Sequence, residues 1–161
     1  MTERIQKIIQ NKQYKEHLVR INKWESDRVF CHHDYVHFLD VARIGMILNM
    51  KDAYQIEEEY IYAAALLHDI GRWQQYENGE DHALISAKLA PAILWECGFD
   101  KEETDMIVSA IETHRQSERK EEKSLNGLLY RADKLSRACF FCPEEANCNW
   151  KNDKKNLAVV W

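Results

Sequence analysis

Apolar residues recur three and four positions apart along most of the chain, the spacing of one face of a helix. Alternation of the kind a half-buried strand needs is nearly absent, and Gly and Pro number only 5 and 2. The pattern predicts an all-α, single-domain helical bundle. A first helix is expected over about 2–24, with Thr2 as its N-cap and an imperfect stripe of Ile5, Ile8, Ile9, Leu18 and Ile21. A second is expected from about Asp34 to Met50 and a third over about 57–70. The fourth should run from Asp81 to Gly98 with a bend at Pro91. The fifth opens on Asp100, with Glu103 three residues later as a capping box, and runs to about Arg115. The polar stretch "RQSERKEEKS" reads as a loop before a sixth helix over about 125–138. Beyond it, "CFFCPEEANCNWKNDKKNLAVVW" has no period. The expected division is a helical domain over 1–138 and a cysteine-containing tail over 139–161 packed on it, without repeats or low-complexity linkers.

Polar residues interrupt the apolar faces at a few places. The stretch "AAALLHDIGRW", residues 63–73, runs from a buried-type helix straight into His68 and Asp69. Ionisable groups are costly to bury unless something pairs with them. His37 aligns at helical spacing with Val41, Ile44 and Leu48, and His68 with Ile61, Ala64 and Ala65. His82 aligns with Ile85, Leu89 and Ile93, and His114 with Ile107, Ala110 and Ile111. Asp133 falls on the line of Leu129, at the edge of an apolar face. A single histidine on such a face is usually a hydrogen-bonded core residue. Four, each on a different helix and joined by two aspartates, point to a metal ion, and imidazole with carboxylate suits Zn, Fe, Mn and similar ions.

Three segments, "HFLDVAR" (37–43), "LLHDIGR" (66–72) and "RADKLSR" (131–137), resemble in residues and order the motifs of the HD-domain metal-dependent phosphohydrolase superfamily, over about residues 30–138. The resemblance implies an all-α bundle with His37, His68, Asp69 and Asp133 as ligands of a divalent metal (Fe, Mn, Zn, Co or Mg). His82 and His114 match the further pair of histidines with which some branches hold a second ion, and Asp69 would bridge the two. One such branch hydrolyses diadenosine tetraphosphate and another cyclic dinucleotides; the G-Y-P motif of the latter is missing after Gly71, where the chain reads "GRWQQYENG".

The implied activity is hydrolysis of a small phosphorylated molecule, a nucleotide or dinucleoside polyphosphate, by attack of a metal-activated water on phosphorus. Asp69, Arg72 and Lys134 would be the catalytic groups, and Arg72, Lys134 and Arg115 the anion clamps. The alternative is a non-catalytic nucleotide- or metal-binding sensor that uses the same site. Trp73 and Tyr76 read first as packing aromatics and second as a stacking platform for a base. His33 lies four before His37 and approaches the same face, yet a supporting or solvated role is favoured for it and for His32. His17 has no partner that the sequence identifies.

Charge narrows the partners. Lys and Arg total 22 against 27 Asp and Glu, a net charge of −5, which argues against a general nucleic-acid coat. No apolar run is long enough to span a bilayer, and the polar start "MTERIQKIIQNKQYKEHL" is no signal peptide. A cytoplasmic, reducing location is therefore expected, with thiols or metal ligands in place of disulfides. Cys139, Cys142 and Cys148 form a C-x2-C-x5-C run. Cys31 is the candidate fourth member: it lies six residues before His37 as Cys139 lies six after Asp133, about 9 Å of helical rise in each case. Ordinary reduced thiols and a structural Zn or iron–sulfur site are both open readings. Cys97, beside Gly98, reads as packing. Trp150 and the apolar end "NLAVVW" permit a homodimer.

Overall fold

The structure is a computed structural model that describes residues 3–159, so the expected Thr2 cap and the final Val160 and Trp161 lie outside the described residues. Eight α-helices are present among those residues: α1 (Glu3–Gln10), α2 (Lys12–Trp24), α3 (Tyr35–Lys51), α4 (Glu58–Leu67), α5 (Arg72–Asn78), α6 (His82–Glu96), α7 (Lys101–Thr113) and α8 (Leu125–Leu135). No strand is found among them, and the fold is all-α. No helix is long and apolar enough to cross a membrane.

Helix α4 is the centre. Its sequence "EEYIYAAALL" is apolar nearly all round after the first turn, and Ile61 and every residue from Ala63 to Leu67 are buried. α3, α7, α8 and α1 pack around it, and α6 pairs with α7. Small side chains allow the close approach: a Cβ on Gly45 of α3 would come within 2.9 Å of Ile61 Cγ2. At one end, Arg4 of α1 donates to Glu59 of α4 and to Glu103 of α7 (2.7 Å).

Three departures from the sequence reading have local causes. The expected first helix is two helices, because Asn11 leaves helical geometry (ψ 134°) and its side chain caps α2 by accepting from the Tyr14 N–H at 3.1 Å. Its amide also donates to Glu96 Oε2 of α6 at 2.7 Å, so the break is bonded to the bundle. The expected third helix stops at Leu67, and a turn at 68–71 leads into α5, which the sequence reading left unassigned. The expected loop 115–124 contains a single 3-10 turn, Ser117–Glu121. Elsewhere the caps stand as anticipated: Asp81 opens α6, which continues through Pro91 to Glu96, and the Asp100–Glu103 capping box opens α7.

The 68–71 turn is held against α6. Gly71 N–H donates to Ser86 Oγ at 2.9 Å, and a Cβ on Gly71 would lie 2.7 Å from the Ser86 backbone nitrogen and 2.7 Å from Ile85 Cγ2. Backbone cannot step aside as a flexible side chain can. Gly71→Ala is therefore expected to destabilise the protein by about 1–3 kcal/mol. The check is the denaturant midpoint, and an unchanged midpoint would show that the turn yields freely.

Candidate metal centre

Five elements converge on the turn that carries Asp69. His37 sits in the first turn of α3, whose N-cap Asp34 accepts from the His37 N–H at 3.0 Å. His68 and His114 occupy the C-cap positions of α4 and α7, and His82 begins α6. Asp133 stands in the last turn of α8. The sequence reading placed His68 and His114 on helix faces; they are instead the residues that end their helices.

Each of the four imidazoles directs Nε2 inward because Nδ1 has an acceptor elsewhere. His68 Nδ1 donates to Ala65 O at 2.7 Å and His114 Nδ1 to Ile111 O at 2.6 Å. Both carbonyls belong to a final helical turn, where the i+4 N–H partners run out, and the Ile111 carbonyl also accepts from the His114 N–H at 3.5 Å. His82 Nδ1 lies 2.8 Å from Gln75 Oε1 and 2.8 Å from the Arg72 guanidinium, which also reaches His82 Nε2 at 3.1 Å. His37 Nδ1 donates at 3.3 Å to Ser136 Oγ, whose own hydroxyl donates to Asp133 O. Such outer bonds fix the tautomer and leave the Nε2 lone pair free.

The two oxygens of Asp69 face different pairs of these nitrogens. Oδ2 lies 3.9 Å from His37 Nε2 and 3.4 Å from His68 Nε2; Oδ1 lies 3.0 Å from His82 Nε2 and 3.6 Å from His114 Nε2. Asp133 Oδ1 joins the first pair, 3.6 Å from His37 Nε2 and 3.8 Å from His68 Nε2. The result is two groups that could each hold a divalent cation, His37–His68–Asp69 and Asp69–His82–His114, sharing Asp69. With Nδ1 of His37 and His68 bonded outward, their Nε2 atoms and the carboxylate oxygens are acceptors facing acceptors. His37 Nε2, His68 Nε2 and Asp69 Oδ1 are buried without a hydrogen-bonding partner. Leaving these groups unpaired is costly, and positive charge between them would remove that cost.

Burial, the largest influence, pushes His37, His68 and His82 below the usual imidazole range, His68 down to about 3, so they are neutral and able to ligate. Burial alone would raise the carboxyls. In the acid range where the imidazoles do take up protons, His68 and His82 overcome it at Asp69, and Lys134 with His68 and His37 does so at Asp133, leaving both well below the carboxylate range.

The centre opens into a cavity of about 360 Å³ whose lining is rich in cations: Arg28, Arg72, Arg115, Lys134 and Arg137. Lys134 Nζ bonds Asp133 Oδ2, so Asp133 is shared between Lys134 on one oxygen and the imidazoles on the other. Arg115 is engaged by Asp81 Oδ2 at 2.7 Å. Arg72 is held over the centre by Gln75 Oε1 (3.2 Å) and by His33 Nε2 (2.9 Å).

His33 is the functional residue the sequence reading valued too low. It is buried, and its Nε2 lies 3.9 Å from Asp69 Oδ2. Its Nδ1 bonds Glu25 Oε1, which also accepts from the Tyr76 hydroxyl. Glu25 is buried, yet His33 keeps its carboxyl down at about 2 against the effect of desolvation. His33 precedes the cap of α3, so its position owes nothing to the helical spacing that relates it to His37. No short motif marks Glu25. His32 is half exposed, 3.7 Å from Glu25.

Trp73 does not line the cavity. It is buried on α2, its Nε1 donating to His17 Nδ1 at 3.1 Å with Arg20 over the ring, which supplies the partner that His17 lacked in the sequence. Tyr76 is turned to Glu25. Neither aromatic forms the base-stacking platform considered as their second reading. Cys97 is buried in the core as expected.

Comparison with known proteins agrees with this architecture. The family described as HD domain matches residues 34–138. An uncharacterised protein of Clostridium beijerinckii is 40% identical over 154 residues, spanning 96% of each chain. Ribonuclease Y of Lawsonia intracellularis is 40% identical over 75 residues, 47% of this chain but only 13% of that protein. The crystal structure of a predicted HD superfamily hydrolase from an uncultured Thermotogales bacterium superposes with a TM-score of 0.62 at 26% identity, covering 87% of this chain and 79% of the other. The chain is an all-helical domain with a buried His/Asp centre that could hold divalent metal. The chain belongs to the HD-domain family.

The depressed imidazoles set the pH dependence of the metal-free chain. Unfolded, these histidines take up protons near pH 6.5, whereas folded they stay neutral. The unfolded state therefore binds more protons below that pH, and folding stability falls as pH drops through it. Glu25, Asp69 and Asp133, also lowered in the fold, extend the loss below about pH 4. Thermal melts of chelator-treated protein should show a lower Tm at about pH 5.5 than at about pH 7.5; a flat profile would mean that the imidazoles are already charged in the folded chain.

Proposed function

We propose that this protein is a metal-dependent phosphohydrolase acting on a small phosphorylated molecule, a nucleotide or dinucleoside polyphosphate. The observation that carries the reading is Asp69, each of whose oxygens faces its own pair of imidazole Nε2 atoms. His37, His68, Asp69 and Asp133 would hold one divalent ion, and Asp69, His82 and His114 a second. When bound, such ions supply a water acidic enough to furnish hydroxide near neutral pH and positive charge for phosphate oxygens.

The chain's own groups do the remaining work. Arg72, fixed by His33 and Gln75, presents a guanidinium beside the centre, where negative charge on a reacting phosphate would grow. Lys134 adds a second cation on the α8 side, and Arg115 a third at the rim once it leaves Asp81. Asp69 keeps Arg72 charged despite its burial.

The cavity continues past Lys134 and Arg137 into a second one of about 710 Å³, with Lys120, Lys154, Tyr130 and Trp150 in its lining. A net-negative protein that gathers cations and two aromatics along one groove suits a chain of phosphates ending in a base better than a bare monoester. Support from relatives is general: the Thermotogales protein is named a hydrolase, and Ribonuclease Y is named for cutting RNA.

Two variants test the reading. Asp69→Asn should lose most of the bound divalent metal and lower hydrolysis of a dinucleoside polyphosphate by at least about a thousandfold. Arg72→Ala should retain the metal and lower kcat/KM by about a hundredfold. Wild-type protein supplied with Mn, Fe or Co that binds nucleotide but turns over neither nucleotides nor dinucleoside polyphosphates would sink the enzyme and leave a sensor. Turnover of RNA alone would move the substrate class to polymers.

A further inference from the structure

Four of the five cysteines converge. Cys31 comes from the loop before α3, and Cys139, Cys142 and Cys148 from the segment after α8, yet all four line one cavity of about 440 Å³. It adjoins the metal-centre cavity, with Cys31, Cys148, His37 and Arg137 lining both. All four are free thiols. Burial pushes the Cys31 thiol up, and the nearby Cys139 and Cys142 add to the effect. Cations stand beside the thiols: Arg137 near Cys31, and Lys155 near Cys148 and Cys139, its Nζ held 2.7 Å from Glu145 Oε1.

The segment that brings three of these cysteines has no buried core of its own. Residues 139–159 form three single 3-10 turns, Cys139–Phe141, Glu145–Asn147 and Asn152–Lys154, and none of those residues is buried. The Asn156 amide ties its far end to the carbonyls of Lys134 and Arg137 at 2.8 Å each, and Arg137 lies 4.1 Å from the Trp150 ring. A coreless segment of this length keeps a fixed path only when it is stapled.

We propose that Cys31, Cys139, Cys142 and Cys148 ligate an iron–sulfur cluster that fastens the 139–159 strap beside the metal centre. A single zinc ion and a cluster make different demands on these sulfurs. With Zn–S bonds of about 2.3 Å, tetrahedral zinc draws its sulfurs to within about 3.8 Å of one another. Among the described residues, no three of these sulfurs lie within 4.8 Å of one another. A cluster spreads its thiolates over separate iron atoms and holds them further apart. Arg137 and Lys155 offset the negative charge that four thiolates bring.

The test is iron, zinc and acid-labile sulfide content of the full chain purified anaerobically without chelators, then treated with ferrous iron, sulfide and thiol reductant. Sulfide is the deciding readout because the His/Asp centre binds none. The expected result is about four sulfides per chain, matched by iron in excess of the His/Asp sites. Cys142→Ser and Cys148→Ser should each lose nearly all of the sulfide while keeping the helical circular dichroism of the parent. Asp69→Asn should keep its sulfide, which separates this site from the proposed hydrolase centre. Absence of sulfide after reconstitution overturns the proposal. So does one zinc ion that disappears in Cys142→Ser, or sulfide that persists in both cysteine variants or vanishes in Asp69→Asn.

Discussion

A buried carboxylate that faces four imidazoles is the constraint on which this protein is built. His37 Nε2, His68 Nε2 and Asp69 Oδ1 find no hydrogen-bonding partner, since the outward Nδ1 atoms of His37 and His68 are taken up by Ser136 and Ala65. Unpaired acceptors in a dry interior are costly, and a cation removes the cost. The bundle around them is the frame that makes the arrangement rigid. α4 is buried on nearly every side so that its end, and the turn bearing Asp69, is fixed; α3, α6, α7 and α8 each bring one ligand-type side chain to that end.

Outside this first ring, the chain spends further buried charge on orienting Arg72. Tyr76 and His33 hold Glu25 ionised at the end of α2, His33 receives Arg72, and Arg72 reaches back to the centre. A guanidinium placed this way is pre-ordered for an anion, which limits the entropy lost when one arrives. The relay also explains why the N-terminal helices pack where they do. α2 lies against α5, so the helix following the HD pair is braced by Trp73 on His17 at one point and by Tyr76 on Glu25 at another. Both Glu25 and His33 precede residues 34–138, over which the family matches, so this brace is a feature of the chain beyond the shared motif region.

The sequence by itself determined the helical class, most of the caps and the members of the His/Asp cluster. These are local properties: period 3.6, a capping side chain three residues from its N–H, and polar residues set into apolar faces are all written in neighbouring positions. "LLHDIGR" with "HFLDVAR" and "RADKLSR" also carried the family. Local reading went astray where a short-range pattern had two solutions. The apolar period runs on through His68, but the imidazole that takes the Ala65 carbonyl ends the helix there. Asn11 lies inside a run of helical spacing but has the bonding of a cap.

Only the tertiary structure decided which oxygen of Asp69 faces which pair of imidazoles, that Glu25 and His33 belong to the site, that Trp73 turns away from it, and that Cys31 meets Cys139, Cys142 and Cys148. Each of these depends on side chains from elements far apart in sequence reaching one point. Their meeting is set by how helices pack in three dimensions, through contacts that leave no periodic trace along the chain.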